Sequence, residues 1–354
     1  MGPENTRHKA ETTTETCAHL PDLDSTEPEQ KHTGLDNLGP GGAVYSGEKA
    51  ILVDGTEVRR LYYPKYDMVG GYVESLANVE GEARVLEDAV VCGNAVVSDW
   101  AVVSGSAVVR GYARVQDVAE VRGSSLVEGH TVVRDDARVY GKSRVSGNAL
   151  IEDRAKVYSS EISGDSHIHG DAVVTGGSKV SERASISGNA LVEGSRVSGE
   201  GKVSGLSQVR GSHVLDNGQV AGRARISMGA VVSDHARVDG QAIVEDSTIT
   251  GTAVVAQMAN VVGKSKVSRF AQISGQAVVS GAEVFGFAVV TEDAAVLGGK
   301  VGGTAFVHGS AIVADQAEVK GGVIVHGKAK VVGGTKLAGN EIVGGNQILD
   351  SRTP

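Results

Sequence analysis

The sequence predicts an all-β chain wound into a three-sided parallel solenoid, and three observations carry that prediction. A branched aliphatic recurs every six residues, from Val73, Val79, Val85 and Val91 onward to Ile151 and Val157. The composition suits thin, strand-built layers: 49 glycines and 4% aromatic residues, with valine, alanine and serine in excess. Where the period slips to five, the slips are separated by multiples of three steps. Repetition at a fixed period outranks local propensity in deciding a fold.

The elements follow in order. Residues 1–42 are rich in Thr, Glu, Asp, Pro and Gly and poor in apolar side chains. They cannot bury enough surface to offset the entropy of ordering, which predicts a disordered tail. Residues 43–71 change character. In "ILVDGTEVRRLYY" apolar residues alternate around Asp54-Gly55, a hairpin signature. Tyr62, Tyr63 and Tyr66 add bulk there, and Gly70-Gly71 is read as a tight turn closing a small N-terminal β cap.

Residues 72–349 carry the repeat. Two places after each aliphatic comes Gly or Asp, and four places after comes Ala or Ser, as in "VSGNA", "VRGYA" and "VEDRA". A strand alternates its faces, so the small residue and the aliphatic point to one side and their neighbours to the other. The Gly/Asp place supplies a corner, and each hexamer is one short strand plus one turn. Residues 350–354 form a short C-terminal tail.

Five-residue steps occur at Val157–Ile162, Val192–Val197, Val209–Val214, Val244–Ile249, Val279–Val284 and Val296–Val301. The gaps between them are six, three, six, six and three steps, which fits a triangular winding with one corner that tolerates a shorter turn. A small residue survives in each, so the missing residue belongs to the turn. A further slip, Leu337 to Ile342, breaks this phase and puts Ile342 and Ile348 inside. Counted this way the prism has about 16 windings and, at ~4.8 Å per winding, a length of roughly 75 Å.

A hexamer with an aliphatic first and a small residue fifth resembles the hexapeptide-repeat left-handed parallel β-helix proteins, over residues 73–348. "YDMVGGYVESLANVEGEARV" resembles the opening "GGW(I/V)E" segment of an uncharacterised bacterial and phage group that runs into "GNARV"-type repeats. Tyr72 stands where that group has Trp. One enteric group of this kind is described as a hexapeptide-repeat transferase. The resemblance implies left-handed winding, which the spacing alone does not fix; bactofilin-type filaments are triangular as well and wind the other way.

The resemblance also raises acyl transfer from coenzyme A or acyl carrier protein, with a histidine as general base between subunits of a trimer. Such enzymes usually carry a protruding loop and a C-terminal helix, and this repeat runs on without either. His130 and His235 fall in turns; His167 and His213 precede an aliphatic. His169, His308 and His326 follow one on a shared face, and His308 and His326 should stack about 5 Å apart. They are the only weak catalytic or metal candidates, against the plainer reading of two solvated strand residues. The His-x4-His spacing of γ-class carbonic anhydrases is absent. Cys92 reads as an outward bystander, Gly-rich pieces as corners, and no cofactor is expected.

Surfaces are the more productive place to look. The outward place before each aliphatic reads Val90, Val96, Val102 and Val108 early in the repeat, and Val254, Val289, Phe306 and Ile324 share a later column. These eight are candidate partner contacts, ordinary β-rich surface being the alternative. Columns of Arg, Lys and Glu on the middle windings should discourage lateral sheet association. The last winding shows no evident cap, which leaves end-to-end stacking open. A net charge of −9 makes nucleic acid a poor partner. Two cysteines, no signal-peptide core and no long apolar run suggest a reduced, cytoplasmic protein without a membrane span. The expectation is a non-enzymatic scaffold or interaction protein that forms homo-oligomers, as a trimer or end to end, or binds another protein. The alternative is an acyltransferase with an intersubunit site.

Overall fold

The computed structural model describes residues 42–352. The tail expected over 1–42 therefore lies outside the described residues except for Gly42, as do Cys17 and the last two residues. Three sheets of 18, 16 and 15 strands run through the described chain. From Val91 onward the chain visits them in turn, and we call them the first, second and third faces after Val91, Val97 and Val103. Each strand pairs in parallel with the one a full turn later: Val91 opposes Val109, Val97 opposes Val115, and Val103 opposes Val121. Backbone N–H groups donate along the prism axis, as from Val90 N to Ala107 O at 2.9 Å.

The protein is thus an all-β parallel solenoid, and the 16 strands of the third face count its windings. The hexamer explains its cross-section. From Val73 to Val331 every predicted inward aliphatic is buried, and the small residues beside them, such as Ala224, Ser207 and Ala253, are buried with them. The corner residues adopt left-handed backbone, with glycine at many of these places and Asp99, Asp117, Asp135 and Asp153 (φ 62, 59, 59 and 58°) at others. Aspartate tolerates this conformation better than most side chains. Its carboxylate also accepts the N–H one winding on, from Asp117 N at 3.3 Å to Asp99 and from Gly170 N at 2.8 Å to Asp153.

All six short steps connect the third face to the first. The short corner turns on one left-handed residue, Ser159 (φ 46°) or Asp246 (φ 46°), for example. In the first windings the six-residue version of this corner also turns on one, such as Gly123 (φ 73°), whereas from Gly176 onward it uses two in succession, as at Met228 and Gly229 (φ 57 and 76°). Serine in the small place of this corner has a second role. Ser178 Oγ donates to Thr175 O at 2.6 Å and accepts from Ser195 N at 3.2 Å in the shortened corner below it. Ser195 repeats this toward Ser212, and Ser265 toward Ala282. The hydroxyl satisfies a buried N–H that alanine would leave without a partner.

The cap begins with an antiparallel hairpin, β1 (Val44–Ile51) and β2 (Glu57–Tyr63), turning at Asp54-Gly55 as the alternation predicts. β3 (Met68–Val73) pairs antiparallel with β2 and parallel with Val90–Val91, so the third strand of the cap is also the first strand of the solenoid. Gly70 and Gly71 are not a turn. They lie inside β3, where a Cβ on Gly70 would come within 2.7 Å of the Tyr63 ring and one on Gly71 within 2.5 Å of Ala89 O. Glycine is needed there for close approach as the hairpin crosses the end of the prism.

Tyr63 closes that end. Its ring joins Leu61 and Ala43 over the first winding, and its hydroxyl accepts from Val85 N at 2.8 Å, satisfying an edge group of the third face. Burial pushes the Tyr63 phenol up to about 12. Burial, followed by the hydrogen bond to Glu48, does the same for Tyr72. Both groups favour the neutral form in the folded state. The stability they contribute is present below pH 10 and is lost as pH rises toward about 12. The cap is expected to undock over that window while the middle windings stay paired. Hydrogen exchange of β1 and β2 amides against those of the central strands checks it, with Tyr63→Phe showing a reduced pH response.

At the far end the phase does not break. Leu337, Val343 and Leu349 continue the six-residue step, with Val343 buried. Ile342 and Ile348, expected inside, are 66% and 63% exposed. In "EIV" and "QIL" two adjacent aliphatics compete for the inward place, and the register of the preceding windings selects the second.

Candidate interaction faces

The eight residues picked out as partner contacts separate into distinct environments. Val90 and Val108 belong to one column of the first face, and they are only 2% and 6% exposed. Ala50, Leu52 and Val58 of the hairpin cover them, together with Tyr72 and Cys92. Their partner is the chain's own cap, which corrects the expectation of an external contact there. Cys92, read as outward and unaccompanied, is buried in the same cluster. Val96 and Val102 lie half-buried on the second and third faces, so the four early valines form no common strip.

The later four do share a column. On the second face Val254 opposes Gln272, Gln272 opposes Val289, Val289 opposes Phe306, and Phe306 opposes Ile324. Ile324 then opposes Ile342, so the corrected register lengthens the strip to the last winding. At the corner beside it Phe270 and Phe287 stack with ring centroids 4.7 Å apart. Phe285, on the first face, lies over Gly302. The four phenylalanines of the sequence thus fall within three successive windings, all on the outside. The sequence placed Phe306 correctly but gave no reason to group Phe270 and Phe287 with it, because corner side chains do not follow the strand alternation.

His308 and His326 stack on the second face with centroids 5.6 Å apart, and Phe306 stacks on His308 at 4.3 Å. His308 Nδ1 lies 3.8 Å from Glu292 Oε2, whose carboxylate also accepts Gly309 N at 2.8 Å. His326 covers Gly344, where any side chain would collide with its ring. The pair is packed along the axis. Among the described residues no group of three or more His, Cys, Asp or Glu is arranged to hold a metal ion.

A second histidine pair stands on the sixth winding. His167 and His169 stack at 4.3 Å, and His167 Nε2 meets Glu152 Oε1 at 2.7 Å. Burial raises the Glu152 carboxyl, but hydrogen bonds from Arg134 and His167 outweigh it and hold the group below the usual carboxylate range. Next to it a shallow depression is lined by Asp135, Asp136, Asp153, Arg154, Gly170 and Asp171. Arg154 pairs with Asp171 at 2.7 Å. Asp135 lies 3.8 Å from Arg134 and Asp136 3.2 Å from Arg138, so the lining belongs to a surface ion network.

The C-terminal end differs from what the repeat suggested. In the last winding the small inward places are taken by Thr335, Glu341 and Gln347. Glu341 accepts from Ala338 N at 3.4 Å, Gln347 from Gly344 N at 3.0 Å, and Thr335 from Ser351 N at 3.0 Å. Arg352 reaches back to Asp315 at 3.1 Å. Side chains therefore serve the open edge, and the final winding is capped after all. A polar terminal repeat of this kind is what a solenoid needs at its end.

Fold and faces together define a repeat β-solenoid protein. The family model described as "YdcK Beta solenoid repeat" matches residues 184–200. That stretch, "ASISGNALVEGSRVSGE", is one winding, with Ile186, Val192 and Val197 each on a different face. No curated protein matches the chain. No helix among the described residues is long and apolar enough to cross a membrane.

Proposed function

We propose that the protein is a structural or interaction scaffold of the hexapeptide-repeat type, which acts through its outer faces and self-associates. The observation that carries this reading is the sorting of the outer surface by column. The first face of windings 12 to 16 alternates Lys266, Glu283, Lys300, Glu318 and Lys336, with Lys300 and Glu283 paired at 3.2 Å. The second face of the same windings carries no Lys, Arg, Asp or Glu in its outward places and gathers Phe270, Phe287, Val289, Phe306, Ile324 and Ile342. Chemistry divided between long flat faces suits contact with other macromolecules better than enclosure of a small substrate. A repeat interrupted by no loop supports the same reading.

The acyltransferase alternative draws on the stacked His308 and His326. Calorimetric titration with acetyl-CoA separates the two: the scaffold reading expects no heat of binding and no thermal stabilisation. Saturable binding that is lost in His308→Ala or His326→Ala would replace it with the enzyme.

A further inference from the structure

Six windings of the second face, from Thr252 to Gly344, each present three outward residues, and none of these is Lys, Arg, Asp or Glu. Earlier windings of that face carry charge in the same column, at Arg114, Lys202 and Arg237. Loss of charge coincides with the gathering of phenylalanines. Depletion of charge and enrichment of aromatics are the compositional marks of the centre of an interface.

We infer that this face is a pairing surface for a second copy of the same chain. The inference rests on the scaffold reading and names its partner. At ~4.8 Å per winding and ~3.3 Å per residue, the patch measures about 29 by 17 Å. That is on the order of 500 Å² per copy and about 1,000 Å² for a pair, the lower limit for a specific interface. A flat face of this size fits best against another flat face, and the second copy supplies one of equal length. Isologous pairing makes residue i of one copy meet residue j of the other and j meet i, and a face with no Lys, Arg, Asp or Glu in its outward places sets no like charges of these residues together in any register. Residues 1–41 are a poor cover for the patch, since they contain no aromatic residue and many acidic ones.

The pair is weak and concentration-dependent. Each copy carries a net charge of −9, so approach is opposed by long-range repulsion and the contact itself contains no ion pair. Added salt should therefore leave association unchanged or strengthen it, whereas an electrostatic contact would weaken.

Sedimentation equilibrium on the full chain tests this, from low micromolar to several hundred micromolar, at low and high salt. The expected result is a reversible monomer–dimer equilibrium that high salt does not dissociate. Phe306→Lys and Ile324→Lys should each weaken it by about tenfold or more, because a charge is carried into an apolar contact. Glu283→Lys on the first face should leave it unchanged, and circular dichroism verifies that each variant keeps the parent fold. A chain that stays monomeric throughout, or a dimer indifferent to both second-face variants, overturns the inference. So does a dimer seen only after residues 1–41 are removed, which would make that segment the occupant. A dimer indifferent to both second-face variants overturns this inference alone, whereas a chain that stays monomeric also removes self-association from the scaffold reading; acyl-donor binding is tested independently of both.

Discussion

Val203→Asp is expected to lose several kcal/mol of stability, while Lys202→Asp, one residue earlier, changes it by no more than about 0.5 kcal/mol. Val203 lies on the second face in the eighth winding, between Ile186 and Val220, and is fully buried. A carboxylate there has no cation and no donor within a core of aliphatic and small side chains. Lys202 points outward from the same strand and is exposed. The contrast between adjacent residues isolates the direction of the side chain from every other property of the strand.

The consequence should also spread. A winding contacts only its neighbours, so a defect in the middle separates the prism into two stacks that each lose an interface. We expect the single unfolding transition to broaden or divide in two in Val203→Asp. In Val203→Ala, which costs about 2 kcal/mol through lost burial and a small cavity, the transition should simply move. Thermal unfolding followed by far-UV circular dichroism, with hydrogen exchange to locate the weakened windings, measures both effects. Equal losses at positions 202 and 203 would mean that the inward column has been misplaced.

The inward column was legible because the same short-range rule repeats in every winding. Valine and alanine two apart must share a side, and the spacing of short steps requires three sides. What escaped the sequence depended on contacts between distant segments. Val90, Val108 and Cys92 read as exposed because nothing local announces that Ala50, Leu52 and Val58 will lie across them. Gly70-Gly71 read as a turn because dipeptide preference knows nothing of the Tyr63 ring that needs the space. The column of Val254, Val289, Phe306 and Ile324 was visible from period alone, but its extension to Ile342 required the register of the preceding windings.

Replacing Glu341 and Gln347 together by alanine should convert the C-terminal end from a closed surface into an adhesive one. In preceding windings the corresponding places hold apolar residues, Ala305 and Val323 for Glu341 and Ala311 and Ala329 for Gln347, and these accept another winding above them. Glu341 and Gln347 instead turn to the backbone, accepting Ala338 N and Gly344 N. A second prism stacked on this end would bury the Glu341 carboxylate from each side, an unfavourable step worth several kcal/mol for each unpaired charge. The double variant removes that barrier and frees the edge N–H groups to pair. The opposite end remains covered by β2 and Tyr63, so the new contact joins two C-terminal ends and stops at a pair. Small-angle scattering should then show particles approaching twice the roughly 75 Å length of the single prism, at concentrations where the parent chain shows none. Open-ended filaments would indicate that the cap is displaced as well, and an unchanged length would show that Glu341 and Gln347 are not what keeps the ends apart.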